Sequence, residues 1–240
     1  MKRTYLALAV ALGAGLAHPL LAAEAPASES PHLLSGSLTL TSDYRFRGIS
    51  QTGEGPAVQG GLTYTYVPAS LNAGVWGSNV DSSGYADANV ELDTFISWTP
   101  SWDALGVDLG WIRYNYPNTD VSANNTNEFH IGGSYDFKVA QPKFTINYSP
   151  DWFGTGDSWY YDLSVKVPLP EDFAVNVHYG WNRFEGLKDY QDWSIGVTKP
   201  LFGLDLALSY VDTQDLDEDQ DCLDPFKCGG ALVFSVGKTF

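Results

Sequence analysis

The sequence predicts an all-β protein, a single transmembrane antiparallel up-and-down β-barrel of about twelve strands. Its strongest signal is a period of two. Over residues 173–182 the apolar side chains of Phe173, Val175 and Val177 share one face, and polar or small residues share the other. Neighbouring side chains of a strand point to opposite faces, whereas helical spacing cannot separate residues in this way. The lengths of the alternating segments and of their connections are the two further observations.

Most of the alternating segments are about 9–11 residues long or slightly longer, which is the length that a tilted strand needs to cross a bilayer. An even number of strands leaves both termini on one side of the membrane, as in single-chain bacterial barrels. The twelve predicted strands lie near residues 36–48, 57–67, 70–79, 88–99, 105–115, 126–138, 142–150, 157–167, 172–183, 189–198, 202–212 and 229–240.

The connections between the predicted strands alternate in length. Those after the second, fourth, sixth, eighth and tenth strands are mostly short, and each contains proline. The intervening ones are mostly longer and polar, as in residues 117–125 and 213–227. Short periplasmic turns and longer extracellular loops are typical of outer-membrane barrels, whereas a soluble sandwich has no reason to alternate them. The prolines are Pro68, Pro100, Pro142, Pro168 with Pro170, and Pro200.

The N-terminus predicts export. Lys2 and Arg3 precede an apolar stretch over residues 5–16, and small residues follow at 21–23. This is the order of a secretory signal peptide, and the apolar part is too short to span a bilayer. An uncleaved anchor is the alternative. We expect residues 1–23 to be the signal peptide, 24–35 a flexible leader and 36–240 the outer-membrane barrel.

Composition narrows the classes of partner. The formal net charge is −16 at pH 7, with 13 lysines and arginines against 29 aspartates and glutamates. We therefore expect no binding of nucleic acid, since neutralising phosphates needs clustered basic residues. Cys222 and Cys228 lie in an acidic segment, and in an exported chain we expect them to form a local disulfide. A metal pair is the weaker interpretation, because no histidine or second cysteine pair accompanies them.

Aromatic residues near the strand ends predict the interfacial girdles of a membrane barrel. With the apolar face towards lipid, the small and polar face must line the interior. The last strand ends in Phe240 and resembles the assembly signal of outer-membrane barrels, although Lys238 stands where an apolar residue is usual and would have to snorkel. The expected girdle residues are Tyr64, Tyr66, Trp98, Trp111, Tyr148, Trp159, Tyr179, Trp181 and Trp193.

Two segments resemble a known family. Residues 38–52, with the sequence LTLTSDYRFRGISQT, are similar to the opening strand of the TorF family of porins. Residues 73–81, AGVWGSNVD, are similar to the third strand of that family. The likeness extends over essentially the whole mature chain. It implies an outer-membrane barrel that is called a porin largely by inference, and it brings no established substrate and no catalytic residues.

The first predicted strand carries the candidate filter of a channel. Its lipid-facing side chains are expected to be Leu38, Leu40, Tyr44 and Phe46. Asp43, Arg45 and Arg47 then face the lumen, where charged side chains decide which ions pass. We expect both arginines to face an acidic wall across a constriction. The full set of expected pore-lining residues is Asp43, Arg45, Arg47, Glu91, Asp93, Glu128, His130, Lys143, Asp162, Lys166, Asp192 and Asp205.

These residues predict a narrow channel for the passive diffusion of small hydrophilic solutes. Because the wall holds more carboxylates than bases, cations or neutral solutes should be preferred. We expect no cofactor, and a monomer surrounded by outer-membrane lipid is the favoured state. One alternative is that polar side chains fill the interior, which gives a non-conducting structural or adhesive barrel acting through its acidic loops. Another is a soluble ligand-binding barrel or sandwich in the periplasm.

The acidic run over residues 212–224 raises a calcium hypothesis, because alternating aspartates offer the oxygen ligands that hard cations favour. The run lacks the glycine turn and the distal glutamate of an EF-hand loop, so an ordinary solvated loop tied by a disulfide is the favoured interpretation. His130 and His178 are expected in the lumen with no nucleophile motif around them. We therefore do not expect an enzyme.

Overall fold

The computed structural model describes residues 30–240 except 120, 122, 123 and 223. The predicted signal peptide and residues 24–29 of the predicted leader lie outside this part. No helix among the described residues is long and apolar enough to cross a membrane. The long strands of the described part are β1 (His32–Thr41), β2 (Ala57–Tyr66), β3 (Leu71–Asn79), β4 (Val90–Trp98), β5 (Leu105–Tyr114), β6 (Thr126–Tyr135), β7 (Gln141–Ser149), β8 (Ser158–Pro168), β9 (Ala174–Phe184), β10 (Tyr190–Leu201), β11 (Leu204–Gln214) and β12 (Ala231–Thr239).

These twelve strands form one closed antiparallel sheet. Each strand pairs with the next along the chain, and β12 pairs with β1, where Leu40 lies opposite Val236. A two-residue strand, Ser101–Trp102, extends the sheet at the start of β5. The fold predicted from the sequence, an up-and-down barrel of twelve strands, is confirmed.

The two ends of the barrel differ as the sequence predicts. We call one end the turn end; its connections are residues 67–70, 99–104, 136–140, 169–173 and 202–203. The opposite loop end carries residues 42–56, 80–89, 115–125, 150–157, 185–189 and 215–230. At the turn end, Phe202 and Gly203 both have positive φ, the backbone of a two-residue hairpin turn. Pro142, Pro168 and Pro200 lie within strand ends and not in the turns, at the rim where a missing N–H is tolerated.

The outer wall of the barrel is apolar. Leu40, Ile131 and Leu208 are each more than half exposed, and their strand neighbours on the other face are polar or small. Tyr64, Tyr66, Trp98, Trp159, Tyr179 and Trp181, expected in the girdles, are exposed on this wall. A closed barrel has no unpaired strand edge, so it satisfies its backbone without water. An apolar outside with a polar inside is the arrangement of a barrel that crosses a membrane.

The first strand differs from the prediction at both ends. Strand β1 begins at His32, because residues 32–35 pair with Tyr66 to Thr63 of β2. The predicted leader over 24–35 is therefore wrong for residues 32–35. The strand also ends at Thr41 and not at 48.

Residues 42–56 turn into the lumen, and we call them the inward hairpin. The hairpin pairs the short strands Arg45–Phe46 and Ile49–Ser50 around a left-handed turn at Arg47 and Gly48, with φ of 48° and 83°. Tyr44 and Phe46, predicted to face lipid, belong to this hairpin and pack inside the barrel. The apolar alternation of β1 continues past residue 41, but the chain leaves the wall at that point and reverses at the left-handed turn of Arg47 and Gly48.

Candidate functional site

The inward hairpin is held by a network of charged and hydroxyl side chains. The Asp43 carboxylate accepts hydrogen bonds from Arg45 Nε at 2.6 Å and from Ser50 Oγ at 2.6 Å. Thr52 Oγ1 donates to the same carboxylate at 3.2 Å. Arg45 Nη1 donates to the carbonyl oxygen of Gly48 at 3.0 Å. The Arg45 side chain is fully buried, so it stabilises the hairpin and does not contact open water.

Arg47 lies at the tip of the hairpin and reaches the opposite wall. Its guanidinium forms an ion pair with Glu128 of β6 and lies over the rings of Tyr160 and Trp152, 4.1 and 4.6 Å from their centroids. Tyr190 of β10 donates a hydrogen bond from its hydroxyl to the Arg47 carbonyl oxygen at 3.1 Å. Arg47 therefore contacts a carboxylate of the wall, whereas Arg45 pairs with Asp43 inside the hairpin, and both charges of the Arg47–Glu128 pair are buried. A filter formed by both arginines across a constriction stays a prediction.

An aromatic cluster fills the lumen around the hairpin at the loop end. Tyr85 and Tyr116, both in loops, stack with ring centroids 4.2 Å apart. Burial raises the pKa of each of these hydroxyls above its ordinary value, which keeps them protonated and able to donate. Its buried rings are those of Tyr44, Tyr85, Phe95, Tyr114, Tyr116 and Trp152, and Ile112 packs with them. The loop residues Tyr85, Tyr116 and Trp152 were not predicted from the sequence to lie in the lumen. Their signal is the presence of tyrosine and tryptophan in otherwise polar loops.

The loop between β11 and β12, which contains Cys222 and Cys228, covers the hairpin at the loop end of the barrel. The predicted bond between Cys222 and Cys228 is present. Two carbonyl oxygens of this loop accept hydrogen bonds from the hairpin: Lys227 O from the Ser50 N–H and Gly229 O from Arg45 Nη1, each at 2.7 Å. Phe226 packs edge-on against Tyr85, with centroids 5.3 Å apart. The loop end of the lumen is thus closed by the hairpin, the aromatic cluster and this loop together.

The acidic run within the same loop uses its carboxylates in local hydrogen bonds. Asp217 accepts from the backbone N–H groups of Asp219 and Gln220, and Asp221 accepts from Lys188 Nζ at 2.6 Å. No group of three or more histidine, cysteine or acidic side chains placed to hold a metal ion occurs in the described part of the chain. The geometry therefore gives the calcium hypothesis for residues 212–224 no support.

The half of the lumen towards the turn end is polar, and most of its charged side chains are only half-buried. Asp108 of β5 links His130 Nε2 and Lys143 Nζ, each at 2.9 Å. The Lys143 side chain is 43% exposed. His178 lies 2.9 Å from the Tyr160 hydroxyl and 3.5 Å from Asp192. Because Arg47 lies over the Tyr160 ring, His178 connects the polar half to the residues that surround Arg47. Asp108 was not among the expected residues.

The expected pore-lining residues thus divide into two groups. The first is buried at the loop end, on the hairpin or beside it: Asp43, Arg45, Arg47, Glu91, Asp93, Glu128 and Asp192. The second lies in the middle or towards the turn end: His130, Lys143, Asp162, Lys166 and Asp205. Asp162, Lys143, Lys166 and Asp205 are half-buried, while His130 is buried. Period-two alternation agrees with the inward direction of those that lie on long strands, but it predicted neither the depth of their burial nor the hairpin that carries Asp43, Arg45 and Arg47.

Two solved structures have a similar fold. The KdgM porin matches with a TM-score of 0.58 at 6% sequence identity, covering 86% of this chain and 98% of that chain. The NanC porin matches with a TM-score of 0.57 at 11% identity, with the same two coverages. At such low identity the likeness is one of fold.

No curated protein matches the chain in sequence. A family model does, and its match runs over residues 24–240, which is nearly the whole chain. The model differs in name from the TorF family, so the finer likeness stays a prediction, while the porin-like barrel expected from it is present. The chain belongs to the Gcw_chp family, described as bacterial protein of unknown function.

Proposed function

We propose that this protein is an outer-membrane porin-like channel that passes small hydrophilic solutes down their gradient, and that the inward hairpin narrows its lumen. The observation that carries the proposal is a closed twelve-stranded barrel with an apolar outside and a polar half-lumen whose charged side chains are partly exposed. Solutes would enter the polar half freely and meet the hairpin at the loop end. Selection would rest on size and on the charges of the wall, with no cofactor and no turnover.

Cations and neutral solutes are the favoured solute class. The expected pore-lining set contains more carboxylates than basic side chains, and both arginines are paired within the filled half. The half-buried lysines of the polar half, Lys143 and Lys166, lie near Asp108 and Asp205 respectively. An anion would meet no unopposed positive charge among these groups.

The location follows from the same features. A barrel of this kind belongs in the outer membrane of a Gram-negative bacterium, with the short turns and both termini in the periplasm. Export by a signal peptide over residues 1–23 agrees with that location. We also propose that the chain is related to the TorF porins, because residues 38–52, which include most of the inward hairpin, are similar to the opening strand of that family. A monomer is the favoured state.

A non-conducting structural or adhesive barrel is the second candidate. One specific observation favours it: the inward hairpin crosses the lumen and is anchored on β6 and β10 by Arg47, with the aromatic cluster around it. Such packing closes the loop end unless the hairpin moves. In that case the acidic loops would carry the function.

Single-channel conductance in a planar bilayer tests the proposal. Purified, refolded protein is first checked for a heat-dependent shift of mobility in a detergent gel, which a soluble periplasmic protein would lack. Under a salt gradient we expect small discrete steps with a cation-selective reversal potential. A silent bilayer, from protein shown to be folded and inserted, would contradict the channel and favour the structural barrel.

A further inference from the structure

The outer wall of the barrel carries mostly basic charges, although the chain as a whole is acidic. The chain has 13 lysines and arginines against 29 aspartates and glutamates. On the twelve long strands, the charged side chains that share the outward face with the apolar residues are mostly basic and lie close to strand ends. They are Arg113, Arg183, Lys199 and Lys238, against one acid, Asp212. Basic side chains at the rim of a membrane barrel are placed to meet the anionic headgroups of lipids.

Arg183 borders a patch of aromatic rings on this wall at the loop end. Trp159 of β8 lies directly opposite Arg183 of β9 in the sheet, and Tyr161 lies opposite Trp181. Tyr148 of β7 is the neighbour of Trp159 on the other side, with ring centroids 4.6 Å apart. We call Tyr148, Trp159, Tyr161, Trp181 and Arg183 the aromatic shelf. Trp159 and Trp181 are 40% and 41% exposed, so the shelf presents ring surface to the surroundings of the barrel.

An aromatic girdle that only fixes the depth of a barrel in the bilayer would surround it. The loop end of this barrel lacks aromatic residues at the corresponding positions of β1 to β4. The outward side chains nearest the loop end on these strands are Leu40, Val58, Asn79 and Val90. The shelf therefore marks one place on the wall and is not explained by membrane depth alone.

The Arg183 guanidinium is oriented by a ring, and its charge is not paired with a carboxylate. It lies over the Trp181 ring, 4.4 Å from the centroid. Among the described residues, the arginines that form ion pairs are Arg45 and Arg47. Glu185 follows Arg183 closely in sequence but accepts a hydrogen bond from the Asp157 N–H at 3.3 Å. A guanidinium of this kind is suited to bind a phosphate group through two parallel hydrogen bonds.

The rings beside Arg183 add a second chemical preference. The C–H groups of a sugar pack on the faces of aromatic rings, which carry partial negative charge. We propose that the aromatic shelf binds a phosphorylated glycolipid, with a phosphate on Arg183 and a sugar on Trp159 and Trp181. Its acyl chains would lie along the apolar wall at Leu163, which is 47% exposed. The inference rests on the proposed outer-membrane location and does not require that the barrel conducts.

Native mass spectrometry of the refolded full chain in detergent tests the site. Lipid A, whose glucosamine headgroup carries phosphates, is added with an equal amount of phosphatidylglycerol, which has phosphate but no sugar. We expect lipid A to be retained in preference. Arg183→Gln should weaken its retention about tenfold, and Trp159→Leu should remove the preference. Arg113→Gln is the matched control, because it removes the same charge from the loop end of the wall, where Arg113 donates to the side-chain oxygens of Asn115 and Asn127.

Three results would overturn the proposal: equal retention of the two lipids by the wild type, unchanged retention of lipid A by Arg183→Gln, or an equal loss with Arg113→Gln. Each variant is first shown to be folded by the heat-dependent shift of its gel mobility. A second measurement needs no variant. Lipid A should raise the unfolding midpoint of the wild type more than phosphatidylglycerol does, since a ligand of the folded state stabilises it, and equal midpoints would also contradict the site. A silent bilayer with selective retention of lipid A would reject the channel and leave this site in place.

Discussion

Arg47 of the inward hairpin and Glu128 of β6 form a buried ion pair across the lumen. The pair joins the connection after β1 to a wall strand on the far side of the barrel. Three aromatic rings lie within 4.9 Å of the guanidinium and exclude water from it. This contact ties the tip of the hairpin to the wall of the barrel.

Arg47→Ala should therefore destabilise the barrel strongly. The substitution leaves the Glu128 carboxylate buried without its partner, which costs about 3–5 kcal/mol in proteins. We expect the barrel to unfold at a lower urea concentration, with the folded fraction read from the heat-dependent shift of gel mobility. If the barrel conducts, its single-channel current steps should be larger and noisier. Lys138→Ala is the matched control, since Lys138 pairs with Asp136 on an exposed turn and should cost less than about 1 kcal/mol.

A double variant separates the ion pair from the loss of packing. Glu128→Gln in the Arg47→Ala background removes the unpaired buried charge of the Glu128 carboxylate and should restore part of the lost stability. If the two substitutions are simply additive, or if Arg47→Ala costs no more than Lys138→Ala, the pair does not anchor the hairpin.

The alternation that predicted the barrel also explains why the hairpin was missed. A strand that faces lipid on one side and polar groups on the other must alternate, so β9 and β11 could be recognised from their side chains alone. Residues 43–47 alternate as well, because Tyr44 and Phe46 pack in a core inside the lumen and Arg45 and Arg47 form ion pairs. Period two reports two unlike faces and does not identify what each face meets.

The depth of the site could not be predicted for a related reason. Glu128 and Lys143 both point inward, yet Glu128 is buried and Lys143 is 43% exposed. The difference depends on which loop folds over each strand, and those contacts join residues that are far apart in sequence. Tyr85, Tyr116 and Trp152 offered one local signal, since aromatic residues in polar loops predict burial.

Removing the disulfide should loosen the cover of the hairpin. In the chain-entropy model, a loop as short as that between Cys222 and Cys228 contributes about 2 kcal/mol. We expect Cys222→Ser/Cys228→Ser to lower the unfolding midpoint by a comparable free energy and to make residues 215–230 sensitive to protease. A reducing agent should do the same to the wild type and nothing further to the variant. Unchanged proteolysis after verified reduction would show that the bond does not hold this loop down.

Gly180 tests the packing beneath Arg47. A Cβ atom at this position would lie 2.2 Å from the Tyr160 hydroxyl and 2.6 Å from Asp192 Oδ2. Gly180→Ala should displace the Tyr160 ring on which Arg47 stacks and cost about 1–3 kcal/mol. Gly133→Ala is the matched control, because its nearest atom would lie at an ordinary 3.8 Å. Equal unfolding midpoints for the two alanine variants would contradict the tight packing at Gly180.

Charge reversal in the polar half tests the proposed selectivity. Lys143 lies 2.9 Å from Asp108 and its side chain is 43% exposed, so its charge acts on any solute in that half of the lumen. A charge change of two at about 4 Å is worth about 2 kcal/mol even at the dielectric constant of water. Screening reduces it over roughly 10 Å at 0.1 M salt.

Lys143→Glu should therefore raise the preference for cations several-fold, read as a shift of the reversal potential under a salt gradient. Lys138→Glu changes the net charge equally but lies on an exposed turn, so its shift should be small. Of these two lysines, only Lys143 belongs to the wall of the lumen. Equal shifts of the reversal potential in the two variants would therefore mean that the overall field of the protein, and not the wall of the lumen, selects the ions.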